Sequence, residues 1–318
     1  MDNLNVSRRS FIKNASILSA AAPFVPADLF TNAGRQDVPI PEIHIFSKHL
    51  QFLDYTAMSE VAREIGFDGI DLTVRPKGHV LPEKVEEDLP KAVDAMKKAG
   101  FTPSLFCTAV ESAVNAIDVR LLQTAARLGF RYYRMNWYRY PNNQGMPQAL
   151  DSFADKIGGL AKLNKKLGLT GCYQNHAGIL IGSSIWEVYQ LLKKAPPENM
   201  GSQYDIRHAT VEGGLSWQNG LNLIMPRIKT IVLKDFIWTQ RSGKWVTQNV
   251  PFGQGMVDWD AYFKILKKNN VRVPFCLHLE YPIGGAESGS TRLTSDPNTV
   301  YEAMKRDLAK AKEVWEKA

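Results

Sequence analysis

The segment AREIGFDGIDL at residues 62–72 is typical of a helix end, a glycine turn and the start of a strand. Three further segments repeat this order of residue types, namely KKAGFTPSLF at 97–106, ARLGFRYYRM at 126–135 and KKLGLTGCYQ at 165–174. The turn glycines are Gly66, Gly100, Gly129 and Gly168, which lie 34, 29 and 39 residues apart. Glycine readily adopts the left-handed conformation that ends a helix, so the repeat predicts a parallel sheet connected by helices.

Eight segments are predicted to form strands, and amphipathic helices fill most of the gaps between them. These segments are 42–46, 69–74, 103–107, 131–136, 170–175, 202–206, 229–234 and 274–280. An eightfold β/α barrel usually has about 250 residues, and about 285 of the 318 residues follow the N-terminal segment described next. We therefore predict a single (β/α)8 TIM barrel, with eight parallel strands, over residues 34–318. A doubly wound open sheet is the alternative, but it would need a glycine-rich nucleotide loop after an early strand.

The N-terminal segment reads SRRSFIK at residues 7–13 and continues into the mildly apolar stretch ASILSAAAPFV. Adjacent arginines followed by Phe11, Lys13 and an apolar stretch are typical of a twin-arginine export signal. We predict a signal peptide over residues 1–33, cleaved near Ala22 or Ala33, and a location in the periplasm. A disordered basic tail is the alternative. The stretch is too short and alanine-rich for a membrane span, so we expect no membrane insertion after the signal is removed.

The charges and cysteines argue against several other classes of protein. The net charge is +7 at pH 7, but the basic residues are scattered along predicted helices rather than forming a stripe interleaved with aromatic residues. Nucleic acid is therefore not an expected partner. The three cysteines, Cys107, Cys172 and Cys276, fall in predicted strands without a CxxC pair. We interpret them as buried hydrophobic side chains.

Polar residues cluster where the later predicted strands end, which is where a β/α barrel places its active site. Residues two apart on a strand share a face. The pairs that share a face here are Gln174 with His176, Val232 with Lys234, and His278 with Glu280. Leu233, Leu277 and Leu279 alternate with these residues and suit the outer face of the barrel, which the helices cover. We therefore expect the polar members, together with Asp205 at the end of strand six, to converge on the barrel axis.

Each of these residues also has a purely structural interpretation. Lys234 could simply neutralise Asp205 or Glu280 across the axis, because a buried charge needs a partner. His278 is favoured as a buried core histidine. The combination favours a function, because several ionisable groups buried together are costly unless a metal or substrate uses them.

Six motifs follow one another along the chain. They are GFDGIDL at 66–72, NH-x-G at 175–178, D-x-x-H-A at 205–209, LKD at 233–235, FGQGMVDW at 252–259 and the glutamate that ends LHLE at 277–280. Their order resembles that of the sugar phosphate isomerase/epimerase superfamily, the xylose-isomerase-like barrels that also include endonuclease IV. The likeness covers the chain from about residue 41 to its end. It implies a TIM barrel and an enzyme that acts on a sugar.

The resemblance implies one divalent metal, bound in members similar to ketose 3-epimerases by residues of strands five to eight. Those ligands are a Glu, an Asp, a His and a Glu, and they correspond here to Gln174, Asp205, Val232 and Glu280. Val232 has no ligand atom, and Gln174 offers only a neutral oxygen. Whether Asp205, Glu280 and Gln174 hold a Mn, Mg, Co or Zn ion is therefore left open by the sequence. Lys234 is the alternative, as a cation that replaces the metal and stabilises an enolate-like oxygen.

The family's two glutamates also supply two bases, and Gln174 removes one of them. We therefore expect single-base chemistry, in which Glu280 removes a proton next to a carbonyl that His176 or Lys234 polarises. The resemblance places His176 and His208 near the substrate. Further candidates for substrate binding are Arg75, Trp137, Arg207 and Asn175, and Lys48 is an additional pocket candidate.

The predicted function is an exported isomerase or epimerase that acts on an unphosphorylated keto-sugar. The glycine-rich segment 284–289 after strand eight has no basic residue before Arg292, which favours an unphosphorylated substrate. A keto-sugar lyase or hydratase with one base is one alternative, and a non-catalytic barrel that binds a sugar or a protein is another. The expected partner is a small carbohydrate, and a homo-oligomer stays open. DNA repair like that of endonuclease IV would need a three-zinc cluster, for which six histidines are too few and badly placed.

Overall fold

Eight parallel strands close into a barrel in the computed structural model, which describes residues 38–318. The barrel strands are β1 (Ile43–Phe46), β2 (Gly69–Val74), β3 (Leu105–Thr108), β4 (Tyr132–Arg134), β5 (Thr170–Gln174), β6 (Met200–Asp205), β7 (Ile228–Leu233) and β10 (Phe275–Leu277). Neighbouring strands follow the chain order, and β10 closes the barrel by pairing with β7 and β1. The predicted (β/α)8 TIM barrel is confirmed.

Nine α-helices lie in the described part of the chain, mostly between successive barrel strands. They are α1 (Tyr55–Ile65), α2 (Val85–Lys98), α3 (Ala116–Arg127), α4 (Met146–Leu167), α5 (Ile185–Leu192), α6 (Ile206–Gly213), α7 (Trp217–Ile224), α8 (Trp259–Lys268) and α9 (Pro297–Lys317). The four repeated glycines all have positive φ, between 71° and 98°. The left-handed turn that the sequence repeat predicts is therefore present in every copy.

The sequence predicts strands that alternate strictly with helices. This prediction was wrong after β7, where a β-hairpin precedes the next helix. Strands β8 (Asp235–Arg241) and β9 (Lys244–Val250) pair antiparallel between β7 and α8. Their two-residue turn has φ of 49° at Ser242 and 74° at Gly243. Two positive φ values suit the right-handed twist of a hairpin, so the Ser-Gly pair was the signal available in the sequence.

The barrel interior and its helix-covered face are packed as the alternation of residues predicts. Leu233, Leu277 and Leu279 are fully buried, and Cys276 packs with Phe46 and Cys107 in the core. All three cysteines are buried and free, as expected. The last barrel strand is shorter than predicted, so the polar residues after Leu277 extend beyond it into the rim.

The described barrel unit extends from Ile40 to Ala318. The export signal predicted within residues 1–33 lies outside the described residues, so the signal and its boundary stay predictions. No helix among residues 38–318 is long and apolar enough to span a membrane.

Candidate functional site

Lys234 lies at the centre of the polar cluster, directly after β7, with a side chain that is only 3% exposed. Its Nζ lies 3.0 Å from Asp205 Oδ2, 3.1 Å from Glu280 Oε2 and 2.8 Å from His208 Nε2. An ammonium group has three N–H donors, and here each has a partner. The predicted convergence of these four side chains at one rim is confirmed.

Asp205 ends β6 and is fully buried. Its Oδ1 accepts a hydrogen bond from the main-chain N–H of His208 at 3.1 Å, and so caps the N-terminus of α6. Its Oδ2 accepts from Gln174 Nε2 at 2.8 Å as well as from Lys234. The D-x-x-H spacing therefore has a local cause, because an N-cap aspartate binds the amide three residues later.

His208 is neutral because of its surroundings. Its Nδ1 is approached by the main-chain N–H of Ala177 at 3.1 Å and by Arg207 Nη1 at 3.0 Å, while Lys234 approaches Nε2. Burial, and next the charge of Lys234, lower the pKa of His208 well below its usual range. A neutral imidazole keeps one N–H and accepts at its other nitrogen only. Burial and the neighbouring cations oppose a second proton, so His208 orients its neighbours rather than acting as an acid.

Glu280 lies just beyond β10 between two ammonium groups. Its Oε1 lies 2.9 Å from Lys48 Nζ, and its Oε2 lies 3.1 Å from Lys234 Nζ. Burial raises the pKa of Glu280, but the opposing contributions, led by the charges of Lys234 and Lys48, bring the pKa well below its usual range. The side chain is 23% exposed. Glu280 is therefore an ionised carboxylate that a small molecule can reach.

A cavity of about 170 Å³ opens beside these residues at the carboxyl ends of the strands. It is lined by Phe46, Lys48, Arg75, Arg134, Trp137, Gln174, His176, Lys234, His278 and Glu280. Six of the predicted site residues are in this set, whereas Phe46 and Arg134 were missed. A larger cavity of about 410 Å³ lies near α5 and α7, but Glu212 is the only ionisable residue in its lining. The cavity beside Lys234 is the candidate active site because the buried ionisable groups of β5 to β10 converge on it at the carboxyl ends of the strands.

Three predicted substrate-binding residues do not line this cavity, and one of them, His208, is enclosed by the contacts described above. The other two are Asn175 and Arg207. Asn175 is fully buried, and its side-chain amide bonds the main-chain N–H and C=O of Asp205, both at 2.8 Å. Arg207 lies behind His208, with its guanidinium 5.1 Å from the ring centre of Phe236. Asn175 and Arg207 were expected to contact the substrate directly, and the structure corrects this. Asn175 joins β5 to β6, and Arg207 supports the ring of His208.

His176 follows β5 and packs against His208, with the two ring centres 3.9 Å apart and the ring planes tilted by 35°. Its Nδ1 lies 3.0 Å from the carbonyl oxygen of Ala177. A carbonyl oxygen can only accept, so Nδ1 carries the proton and Nε2 is an acceptor. Burial, and next the charge of Lys234, lower the pKa of His176. The neutral ring can take up a proton at Nε2. Because Nε2 carries no proton, it does not polarise the substrate carbonyl, which was one of the two roles considered for His176.

Asp235 fixes the loop that covers the end of β7. Its buried carboxylate accepts hydrogen bonds from the main-chain N–H groups of Phe236, Gly253, Gly255 and Val257 and from the Trp259 indole. A Cβ at Gly255 would clash with this carboxylate. The LKD and FGQGMVDW motifs therefore form one structural unit, in which Asp235 positions the chain next to Lys234.

Residues 59–304 match the family model described as xylose isomerase-like TIM barrel. The chain belongs to this family. The match confirms the family that the order of motifs indicated. A comparison with curated proteins finds no match.

Several solved structures share this xylose isomerase-like fold. A D-psicose 3-epimerase, solved in the presence of D-fructose, is 16% identical over 86% of this chain and 99% of its own, with a TM-score of 0.62. The probable 3-DHS dehydratase AsbF, involved in petrobactin synthesis, from Bacillus anthracis is 13% identical over 85% and 99%, with a TM-score of 0.61. The IolI protein with a binding zinc atom is 15% identical over 86% and 99%, with a TM-score of 0.65.

The metal site that the family resemblance implies can be tested against the residues of this chain. Val232 is a fully buried apolar side chain, and Gln174 turns its amide nitrogen, a donor, towards Asp205. Lys234 Nζ already occupies the point that Asp205, His208 and Glu280 share. A metal ion needs lone pairs, which neither a donor N–H nor an ammonium provides. These residues do not fit the four-ligand site, and they fit an internal ammonium ion instead.

A deeper group brings together Asp71, Cys276 and His278, whose ligand-type atoms lie within 4.8 Å of one another. The Cys276 thiol donates to Asp71 Oδ2 at 3.2 Å. His278 stacks on Phe46 at 4.3 Å, and its Nδ1 lies 3.6 Å from Glu280 Oε1, which is too long for a hydrogen bond. Burial lowers the pKa of His278 to about 4, so this histidine is neutral beneath Glu280.

Proposed function

We propose that this protein is a sugar isomerase or epimerase-like enzyme in which Glu280 removes a proton next to a carbonyl and Lys234 stabilises the enolate. The observation that supports this most is the pair of an ionised Glu280 and Lys234, 3.1 Å apart, both lining one small cavity. The D-psicose 3-epimerase with a similar fold supports a sugar substrate.

The step can be written with its protons and electrons balanced. The C–H bond next to the carbonyl breaks, its proton goes to the Glu280 carboxylate, and its electron pair forms an enolate on the carbonyl oxygen. Glu280 is a weak base because its pKa is low. As Glu280 becomes neutral, however, the ammonium of Lys234 is released from that contact and can pair with the new enolate. A positioned cation in a water-poor site acts most strongly at this point.

Return of the proton decides the outcome. If Glu280 returns the proton to the former carbonyl carbon, while the hydroxyl proton on the original carbon passes to the enolate oxygen so that this carbon becomes the new carbonyl, the product is an isomer. Delivery to the opposite face of the original carbon gives an epimer and requires a second group. His176 offers an acceptor nitrogen from β5 in the same cavity, so it is the second proton-handling group that we propose.

Elimination from a keto-sugar is the second candidate reaction. Within the described part of the chain, Glu280 is the only carboxylate that lines the cavity, because Asp205 is enclosed by its partners. Loss of a leaving group next to an enolate needs one base and one oxyanion stabiliser, and Glu280 with Lys234 meets that requirement. The expected product would be an unsaturated keto-sugar rather than an isomer.

We further propose export by the twin-arginine route to the periplasm, supported by SRRSFIK at residues 7–13. An enzyme there would act on an unphosphorylated substrate. Replacement of Arg8 and Arg9 by lysines should keep the full-length chain in the cytoplasm, and cell fractionation checks this. Export of the twin-lysine chain would contradict the assignment.

Proton exchange tests the catalytic proposal. Ketoses are incubated with the protein in D2O, and deuterium incorporation next to the carbonyl is followed by NMR. We expect exchange with the wild type and a loss of about 100-fold or more in Glu280→Gln, whereas the exposed control Glu302→Gln keeps wild-type rates. Sugar binding by the wild type without exchange or turnover would contradict the proposal and favour a non-catalytic barrel.

A further inference from the structure

Arg134 is a buried cation that has no counterion among residues 38–318. It ends β4, is 6% exposed and lines the candidate active site. Its two hydrogen bonds go to neutral oxygens at the outer limit of distance, 3.4 Å to Gln174 Oε1 and 3.5 Å to the Thr108 carbonyl. Its Nε has no partner among residues 38–318, and no carboxylate of those residues lies within ion-pair distance.

Such a charge is expensive to keep. A buried ion that lacks a partner destabilises the fold, and a protein can remove that cost with a neutral side chain. Trp137 stacks at 4.1 Å from the guanidinium carbon and so compensates part of the cost through a cation–π contact. The contact also holds the guanidinium plane in place. A fixed fork of donors that faces a cavity is the usual arrangement for binding a planar anion.

Asp71, a buried acid that the charge of Arg134 influences, does not serve as its counterion. Its Oδ2 is occupied by the Cys276 thiol, its Oδ1 has no partner within the described chain, and no ion pair joins it to Arg134. Burial raises the pKa of Asp71, although Cys276 and Arg134 oppose that shift. The positive charge of Arg134 therefore remains available on the cavity side.

Further positive charge surrounds the same cavity. Arg75 follows β2, is partly exposed, and has no ion pair or side-chain hydrogen bond with any described residue. Its guanidinium carbon lies 5.5 Å from the ring centre of Phe46. Lys48 Nζ lies at the same distance from that ring centre. Lys48 and Lys234 are both occupied by Glu280. The lining thus contains four cationic side chains and one carboxylate, which leaves Arg75 and Arg134 without an anion.

We propose that the substrate is an acidic sugar whose carboxylate binds Arg134, with Arg75 as a second contact, while Lys234 and Glu280 act on its carbonyl end. This inference rests on the proposed function, because it names the substrate class of the same site. A carboxylate matches the guanidinium fork with two parallel hydrogen bonds. It also adds only three atoms to the ligand, which suits a cavity of about 170 Å³.

Calorimetric binding of three probes tests this. They are 5-keto-D-gluconate, neutral D-fructose and D-fructose 6-phosphate. We expect the keto-acid to bind at least tenfold more tightly than fructose. Arg134→Gln should weaken keto-acid binding about 30-fold or more and change fructose binding less than threefold. The control Arg131→Gln, at an exposed position just before β4, should leave both affinities unchanged. Equal affinity of the wild type for keto-acid and fructose would overturn the proposal, and tighter binding of the phosphate would overturn the carboxylate assignment.

Stability separates the binding role from a structural one. Removal of an uncompensated buried charge should leave the melting temperature of Arg134→Gln equal to or above that of the wild type, whereas a structural arginine would lower it. Arg75→Gln changes a partly exposed side chain, and a reduction in keto-acid affinity of about tenfold is expected there independently of Arg134. If the keto-acid binds without proton exchange, the proposed catalysis is contradicted but the acidic-substrate proposal is not. If fructose undergoes exchange and the keto-acid binds no more tightly, the acidic-substrate proposal is contradicted but the proposed catalysis is not.

Discussion

Lys234 Nζ and Asp205 Oδ2 lie 3.0 Å apart, and both side chains are almost inaccessible to solvent. The pair places a fixed positive charge where the resemblance implies a metal ion. His208 and Glu280 complete its surroundings on two further sides. The site is therefore organised around a cation that the chain itself supplies.

Lys234→Met should destabilise the protein strongly, because Asp205 would become a buried carboxylate without its cation. We expect a loss of about 3–5 kcal/mol in the free energy of unfolding, measured with urea at pH 7. The matched control is Lys229→Met, half-buried near the start of the strand that Lys234 follows, which should cost less than about 1 kcal/mol. Equal losses in the two variants would contradict the central position of Lys234.

Metal binding should be recoverable by design. The triple variant Gln174→Glu, Val232→His and Lys234→Met restores the family's donor types and vacates the ammonium position. We expect it to bind Mn²⁺ in calorimetry at micromolar concentration, whereas the wild type does not. Tight Mn²⁺ binding by the wild type would show that Lys234 does not replace the metal.

Lys48 should determine the pH below which kcat/KM falls, because it lowers the pKa of Glu280. Lys48→Met removes one of the two ammonium groups that lower the pKa of Glu280, so the pKa rises towards its usual value. Because the base must be ionised, the acid limb of kcat/KM should move to higher pH by about one unit or more. The exposed control Lys84→Met should keep the wild-type profile. A shift to lower pH, or none, would contradict this assignment of the base.

Asp235→Ala should loosen the loop that covers β7, since the main-chain N–H groups of Gly253, Gly255 and Val257 would lose their acceptor. We expect a destabilisation of more than about 3 kcal/mol and a fall in kcat larger than any change in KM. The control is Asp260→Ala, which removes a surface ion pair on α8 and should have little effect. If the two variants unfold alike, the loop is held by other contacts.

Much of the fold and the centre of the site could be predicted from the sequence because both depend on short-range patterns. The glycine turns are set by φ at single residues, and alternation along a strand fixes which side chains meet at the rim. Asp205, Lys234 and Glu280 therefore converge as expected. Asn175 shows the limit of this reasoning, since a polar residue beyond a strand end can turn away from the cavity to join two strands.

The remaining features depend on contacts between distant segments. The Lys48–Glu280 pair joins residues that are 232 positions apart and forms only when β10 closes against β1. The lack of a carboxylate partner for Arg134 within the described part of the chain depends on all of its surroundings, so no sequence motif indicates it. The proton position on His176 follows from one carbonyl oxygen, which sequence spacing does not specify.

The most direct test of the account is deuterium incorporation next to the carbonyl of 5-keto-D-gluconate, measured by NMR after the protein is dialysed against EDTA. We expect the dialysed wild type to keep its full exchange rate and Lys234→Met to lose about 100-fold or more, with or without added Mn²⁺. Loss of exchange after dialysis, restored by Mn²⁺, would contradict the claim that Lys234 supplies the cation of this site.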